Sequence, residues 1–334
     1  MQTSQQPSMN EKSVVVIPGI MIPSFRTSMA IERGVEKKIL LKTWGGLGDQ
    51  ICAEPTLRFA LKTFKACDVA LASEHPYLFS HLKFAMVYDL NKSQPTAEHY
   101  FSFDTIVSPD HLTWEFMSHM ITNCVDFPSL CAFRCQLPIS DREVEIPTKN
   151  PERKILRELL LRNDLIVVHA GRHWQSKTFP KDWWDKVLHR IIDQGKTPVL
   201  IGANTDDNRG TVDVETRGCY DLRNKLSIME SIAFLQRSKV LLTNDSSPLH
   251  MAATGAAWIG FIATCKHPDY ITHWRKGGWS WRMKNHGLGG IWEVLDYCPN
   301  RPSKVEVENV GDNLLRSWLP DPVNFADWGI EKLK

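Results

Sequence analysis

The chain lacks any uninterrupted apolar run of about 18 residues, so no membrane-crossing helix is expected. Its opening stretch, MQTSQQPSMNEKS, has no basic patch leading into an apolar segment, which speaks against a secretory signal. Charge of one sign is missing too. Lys and Arg total 40 against 38 for Asp and Glu, and a net charge of +2 does not by itself argue for nucleic acid or an anionic membrane. The 8 cysteines form no dense, even framework, so reduced thiols are expected. Only Cys124, Cys131 and Cys135 gather, near His119, and their spacing is not that of a paired Cys-x-x-Cys ribbon. No Asp-x-Asp occurs, so nothing points to a divalent metal holding a diphosphate, and the expectation is neither metal nor cofactor. The glycine spacing does not give Gly-x-Gly-x-x-Gly with a downstream acid, so no dinucleotide site is read. Internal repeats and low-complexity blocks are absent.

What is present is ordinary globular material in a two-domain length. The 334 residues are 43% hydrophobic and 23% charged, enough for each half to bury a core. The 12 Trp are many, and several lie among His, Lys and Arg, which suits carbohydrate or nucleotide contacts and plain packing alike. Short apolar runs alternate with helical spacing. Val14 to Ile17 is a first run. Ile39 to Thr43 is followed by glycines and a helix from Asp49 to Phe64, and then by strands at Asp68–Ala72, Phe84–Tyr88 and Asp104–Val107. A charge-rich stretch over 141–160 reads as a linker running into a helix. A second series begins at Leu165–His169. It continues with a helix over Asp182–Gln194, with Asp182 as its expected N-cap. Pro198–Ile201, a helix over Ser227–Arg237, Val240–Thr243, a helix near Pro248 and Trp258–Ile262 come next, and a tail helix is expected near Val310–Trp318. The alternation predicts an α/β fold with parallel sheets. The expected domains are 1–150, 151–300 and a helical tail over 301–334 that crosses back to the first.

Three strand-to-helix loops carry the chemistry. The first, Thr43-Trp44-Gly45-Gly46-Leu47-Gly48-Asp49, ends a strand in glycines at a helix start, where backbone N–H groups and the dipole favour an anion or a cleft-facing group. Asp49 there is a general base, or simply a first-turn acid. The second, His169 to Lys177, offers Gly171, Arg172, His173 and Lys177, partners that a diphosphate wants. The third, Thr243-Asn244-Asp245-Ser246-Ser247-Pro248-Leu249-His250, stops a buried strand at small hydroxyl residues and starts a helix with Pro248 in its first turn. Its free N–H groups make a phosphate cradle, with His250 one turn in. A carboxylate in the loop Gly202 to Asn208, Asp207 in particular, is a weaker candidate for ribose hydroxyls.

These loops, in this order, resemble glycosyltransferase family nine, the heptosyltransferase group. Ile39 to Asp49 is similar to that family's opening strand and Gly-Asp loop. Lys177-Thr178-Phe179-Pro180 is similar to its Lys-x-Trp-Pro element, with Phe for Trp. Thr243 to Ala253 is similar to its Asn-Asp-Ser-Gly-x-x-His-x-Ala-Ala signature, with Ser247 for Gly. Asp221-Leu222 and Tyr297-Cys298-Pro299 are weaker matches, and the resemblance spans roughly 39–300. It implies a GT-B architecture: two Rossmann-like domains with parallel sheets facing a cleft, acceptor on the first and donor on the second. It also implies inversion at the anomeric carbon. Asp49 would be the base, Lys177 a donor-phosphate contact, and the Ser246-Ser247-Pro248-Leu249 turn the diphosphate holder.

The expected partners are therefore a nucleotide-sugar donor and a glycan or lipid-linked saccharide acceptor. The expected location is cytoplasmic, with peripheral attachment to the inner membrane allowed. Three rival readings share the architecture. One is a transferase whose acceptor is a modified base in DNA, one a nucleotide-sugar epimerase, and one a non-catalytic nucleotide-sugar binder. The aromatic and His-rich segment 74–135 and the Trp/Lys/Arg loop over 265–282 match nothing in the family pattern, so acceptor and donor identity are not assigned.

Overall fold

A computed structural model of the chain describes residues 16–17, 20–21, 38–95, 101–104, 128, 131, 143–203, 210–264, 271, 315–317 and 319–334. Two parallel sheets dominate. The first contains β1 (Lys38–Thr43), β2 (Asp68–Ser73), β3 (Met86–Asp89) and β4 (Phe101–Asp104), in spatial order β3-β2-β1-β4. Helix α1 (Leu47–Thr63) connects β1 to β2. A separate two-residue antiparallel pair joins Val16–Ile17 to Ile20–Met21.

After helix α2 (Lys154–Leu160) the second sheet begins with β5 (Leu165–His169). A short strand β6 (Gly171–Arg172) leads to helix α3 (Lys181–Asp193) and β7 (Thr197–Leu200). Then come β8 (Gly210–Thr211), β9 (Tyr220–Asp221), helix α4 (Ile228–Arg237), β10 (Val240–Asn244), helix α5 (Ser247–Ala253) and β11 (Trp258–Ile262). Helix α6 (Pro322–Glu331) closes the chain. The main sheet runs β9-β7-β5-β10-β11, all parallel, while β6 and β8 form a small antiparallel pair beside it. Counted along each half, the strand order is 3-2-1-4 in the first sheet and 3-2-1-4-5 in the second. This is the doubly wound order, in which ligands bind beyond the carboxyl ends of the strands where the winding reverses. Those points are the ends of β1, β5 and β10, the strands that deliver the three loops.

The central strands are continuous apolar runs because both of their faces are covered. Ile39, Leu40 and Leu41 are fully buried, as are Ile166, Val168, Leu241 and Leu242. One apolar core extends from Ile39, Ile51 and Leu57 of the first half, through Val144 and Ile146, to Val167, Leu241 and Leu249 of the second. A second core lies on the other face of the second sheet, where Trp183 and Trp184 of α3 meet Phe179 and Phe325.

Segment 143–150 is tied at both sides. Glu54 of α1 is fully buried; it pairs with Arg58 at 2.8 Å and accepts from the Glu145 N–H at 2.8 Å. Arg58 donates to the Glu143 carbonyl at 2.6 Å. From the other half, Gln236 donates to the Ile146 carbonyl at 2.7 Å and Arg237 to the Thr148 carbonyl at 3.0 Å.

Several expectations shift. A strand runs over Phe101–Asp104, and the rest of the one expected at Asp104–Val107 lies outside the described residues. Pro180, not Asp182, is the N-cap of α3; Asp182 sits in the first turn and pairs with Arg316 at 2.7 Å, which holds its carboxyl below the usual range. In the tail, 315–317 are helical as expected, and α6 is additional. Asp321 caps α6 by accepting from the Val323 and Asn324 N–H groups, and the helix packs against α3, β10 and β11. The gathering of His119, Cys124 and Cys135, Asp207, the loop over 272–290 and Tyr297-Cys298-Pro299 lie outside the described residues.

Candidate active site

The first loop is shaped by polar groups beneath it. Gly45 has φ +96°, a conformation open to glycine at little cost. Its N–H donates to Glu74 at 3.1 Å, and its carbonyl accepts from the Gln50 amide at 3.2 Å. The same Gln50 amide donates to Glu74 at 3.2 Å, while its oxygen accepts from the Ser73 hydroxyl at 2.7 Å. Gln50 and Ser73 are fully buried, so this network fixes the turn from below. Asp49 is the third residue of α1, and its carboxylate accepts from the N–H of the N-cap residue Gly46 at 3.1 Å. The side chain is half-exposed at the mouth of the loop, as are Trp44 and Gly45, and Gly46 is exposed.

The second and third loops are joined by Asn244. Its buried amide donates to the carbonyls of Gly171 (2.9 Å) and Lys177. Gly171 has room for no side chain, since a Cβ there would lie 2.3 Å from the Asn244 oxygen. Lys177 forms a buried ion pair with Asp245, and its ammonium sits 4.6 Å from the centre of the Trp174 ring. Arg172 is half-buried on β6, and its Nε has no hydrogen-bond partner among the described residues. Ser246 and Ser247 are half-exposed at the start of α5.

Beneath Ser246 lies His169, at the carboxyl end of the central strand. Its Nδ1 is 3.0 Å from the Ser246 hydroxyl and 3.3 Å from that of Thr243. Burial drives its pKa down to about 4, against a smaller opposing effect of Asn244, so the ring is neutral at ordinary pH. Ser246 thus rests on an uncharged support.

The first and third loops meet. Helix α1 packs on α5. The Cys52 thiol lies 3.2 Å from His250 Nδ1, both buried. Gly48 faces the other edge of the same ring, and a Cβ at that position would fall 2.5 Å from His250 Cδ2. The turn bearing Asp49 is therefore pressed against the turn bearing Ser246, Ser247 and His250. Leu249 is different. Its side chain belongs to the core, and its N–H donates to the Ser246 carbonyl at 3.0 Å, so neither faces the loops. His169, Asn244, Gln50, Glu74 and Cys52 received no role from the sequence. For His169 the available signal was its place at the end of a fully buried strand; for Cys52 there was none.

Residues 112–258 match the family model described as glycosyltransferase family 9 (heptosyltransferase). The match covers a little under half of the chain, and in that region the chain is similar to the family. Among solved structures, a family 9 glycosyl transferase from Veillonella parvula is 12% identical, with a TM-score of 0.52 over 88% of this chain and 98% of that one. TibC from enterotoxigenic E. coli, described as an iron-containing dodecameric glycosyltransferase, is 13% identical, with a TM-score of 0.58 over 89% of this chain and 77% of its own. TibC has also been solved with ADP-D-beta-D-heptose, with the same TM-score over 90% of this chain and 78% of that one. No curated protein sequence matches the chain. At these identities the likeness is one of fold, and the family 9 fold is GT-B: two α/β units with parallel sheets, as found here. Among the described residues no group of three or more His, Cys, Asp or Glu could hold a metal, and no helix is long and apolar enough to cross a membrane.

Proposed function

We propose that this chain is an inverting glycosyltransferase that moves a sugar from a nucleotide-diphosphate sugar to an acceptor hydroxyl without a metal. The observation that supports this reading is the close approach of Gly48, the chain neighbour of Asp49, to His250 of the helix that starts at the Ser246–Ser247 turn. Asp49 takes the proton from the acceptor hydroxyl. The freed oxygen pair attacks the anomeric carbon from the face opposite the diphosphate. The bond from that carbon to the diphosphate oxygen breaks, and the nucleoside diphosphate leaves with its electrons. Lys177, Arg172 and the Ser246–Ser247 turn offset the charge that develops there. Fixed donors of this kind, aimed at a leaving group in a dry site, generally contribute more than the ~10²–10⁴-fold of a general base. An ADP-linked heptose, as bound by TibC, heads the donors to test.

Purified protein is assayed for nucleoside diphosphate release with a panel of nucleotide sugars and saccharide acceptors, with and without EDTA. Wild type turns over in both conditions. Asp49→Asn folds, binds donor and loses about 10²-fold or more of its turnover. A fully active Asp49→Asn variant removes Asp49 as the base, and loss of wild-type turnover in EDTA removes the metal-free mechanism.

A further inference from the structure

Three groups meet beneath the third loop: Nδ1 of His169 and the hydroxyls of Thr243 and Ser246. Nδ1 is 3.0 Å from Ser246 Oγ and 3.3 Å from Thr243 Oγ1, and the two oxygens are 3.2 Å apart. The Asn244 carbonyl is 3.1 Å from Thr243 Oγ1 and 3.2 Å from Ser246 Oγ, and can accept from both. Thr243 is fully buried, so its proton stays inside the cluster, with the Asn244 carbonyl as its shortest contact. Ser246 is half-exposed, so its hydroxyl has both an inner and an outer side. The proton on the ring decides which side that hydroxyl serves.

Burial keeps the ring neutral, so one nitrogen donates and the other accepts. With Nδ1 bare, Ser246 donates inward and turns only lone pairs outward, an arrangement that repels an anion. The ring proton then sits on Nε2 beside Gly202, where a Cβ would fall 3.2 Å away. Among the described residues nothing accepts from Nε2, and the Asn244 amide oxygen, which crowds the same point at Gly171 as the ring Cε1, is buried without a hydrogen-bond partner. With Nδ1 protonated, the ring donates to Ser246 Oγ, Thr243 donates to the Asn244 carbonyl, and Ser246 keeps its own proton for an acceptor outside. Only a bare Nε2 is then unmet, and in protein interiors an orphaned N–H is rarer than an under-used acceptor.

We infer that His169 is a positioning residue that carries its proton on Nδ1 and donates to Ser246, so that the Ser246 hydroxyl donates to a diphosphate oxygen of the bound nucleotide sugar. The diphosphate part rests on the transferase reading above; the tautomer does not. His169 thus supplies a direction rather than a charge, from the central strand β5 to the loop that follows β10.

The test uses the full-length protein labelled with 15N-histidine and long-range 1H–15N correlation spectra, the His169 signals being those lost in His169→Asn. Wild type shows a protonated Nδ1 and a bare Nε2 at His169. Binding of ADP, UDP and GDP is then measured by calorimetry. For the nucleotide that wild type binds, His169→Leu and Ser246→Ala each weaken affinity about 10-fold, the scale of one hydrogen bond to a charged group. The double variant is no weaker than either single one, because both remove the same bond. His169→Asn, whose amide can still donate to Ser246, recovers most of the affinity lost in His169→Leu. A wild-type proton on Nε2 overturns the inference. So do additive losses in the double variant, which a merely structural role of His169 would give, and so does a His169→Asn that binds no better than His169→Leu. The expected spectrum in a protein that binds none of the three nucleotides retains the tautomer and defeats the transferase reading, and the role of Ser246 with it.

Discussion

His169 shows how a single residue can tie acid stability to the site. The ring is buried against the glycines of two loops: a Cβ on Gly171 would lie 2.7 Å from it and one on Gly202 3.0 Å. Its folded pKa of about 4 lies below the ordinary histidine value of 6.5. Between these values the unfolded chain binds the proton and the native protein does not. The unfolded state is then favoured progressively as pH falls, and stability rises with pH across the window. The full contribution is present above about pH 6.5 and lost on descent to about pH 4; at 1.36 kcal/mol per unit this amounts to roughly 3 kcal/mol. Asp164 acts in a lower window, because its hydrogen bonds with Arg162 hold it near 2. His75, which burial also lowers, adds a slope of the same sign. Urea midpoints between pH 4 and 7 should therefore climb steeply in wild type and less steeply in His169→Gln. Parallel slopes for the two proteins would show that His169 is not the source.

At the scale of elements, α3 and α6 are held together by aromatic packing. Phe325 is fully buried, with its ring 5.5 Å from that of Trp183 and 6.3 Å from that of Trp184, and the Trp183 indole N–H donates to the Pro320 carbonyl at 2.9 Å. Truncating such a ring removes its burial and leaves a cavity. Phe325→Ala should cost about 3–5 kcal/mol, read by chemical denaturation; a loss under about 1 kcal/mol would mean that α6 is dispensable. The same region shows the limits of reading the sequence. Strands β5 and β10 were legible because a short, fully apolar run bounded by glycine or Asn-Asp has few other uses. Helix α4 was legible too, since Ser227 and Glu230 form the capping box that its spelling suggests. Helix α6 was not, although Asp321-Pro322 is a proper start signal. Gly329 inside it reads as a break, and its reason is tertiary: a side chain there would crowd Leu242 at 3.1 Å. The site divides in the same way. The loops and their charged residues were visible as local strings. The pairing of Cys52 with His250, the burial of Leu249 and the support of Ser246 by His169 depend on which strand lies beside which, and no window of sequence contains that.

For the whole molecule, the decisive feature is how the two halves are joined. The segment between them is clamped to α1 by Glu54 and Arg58 and to α4 by Gln236 and Arg237, and apolar packing passes through it without interruption. Domains connected by a small polar contact move freely, whereas a large apolar one resists. On the transferase reading proposed above, exchange of substrate and product then falls to the three loops rather than to wide separation of the sheets. Heating offers a direct view of this. A chain whose sheets share their interior has one body to melt, so scanning calorimetry should give a single endotherm whose van't Hoff and calorimetric enthalpies agree. Two resolved peaks would mean that each half keeps its own interior. In the single-peak case, the unit that selection maintains is the pair of sheets, and neither half alone would be a viable fragment.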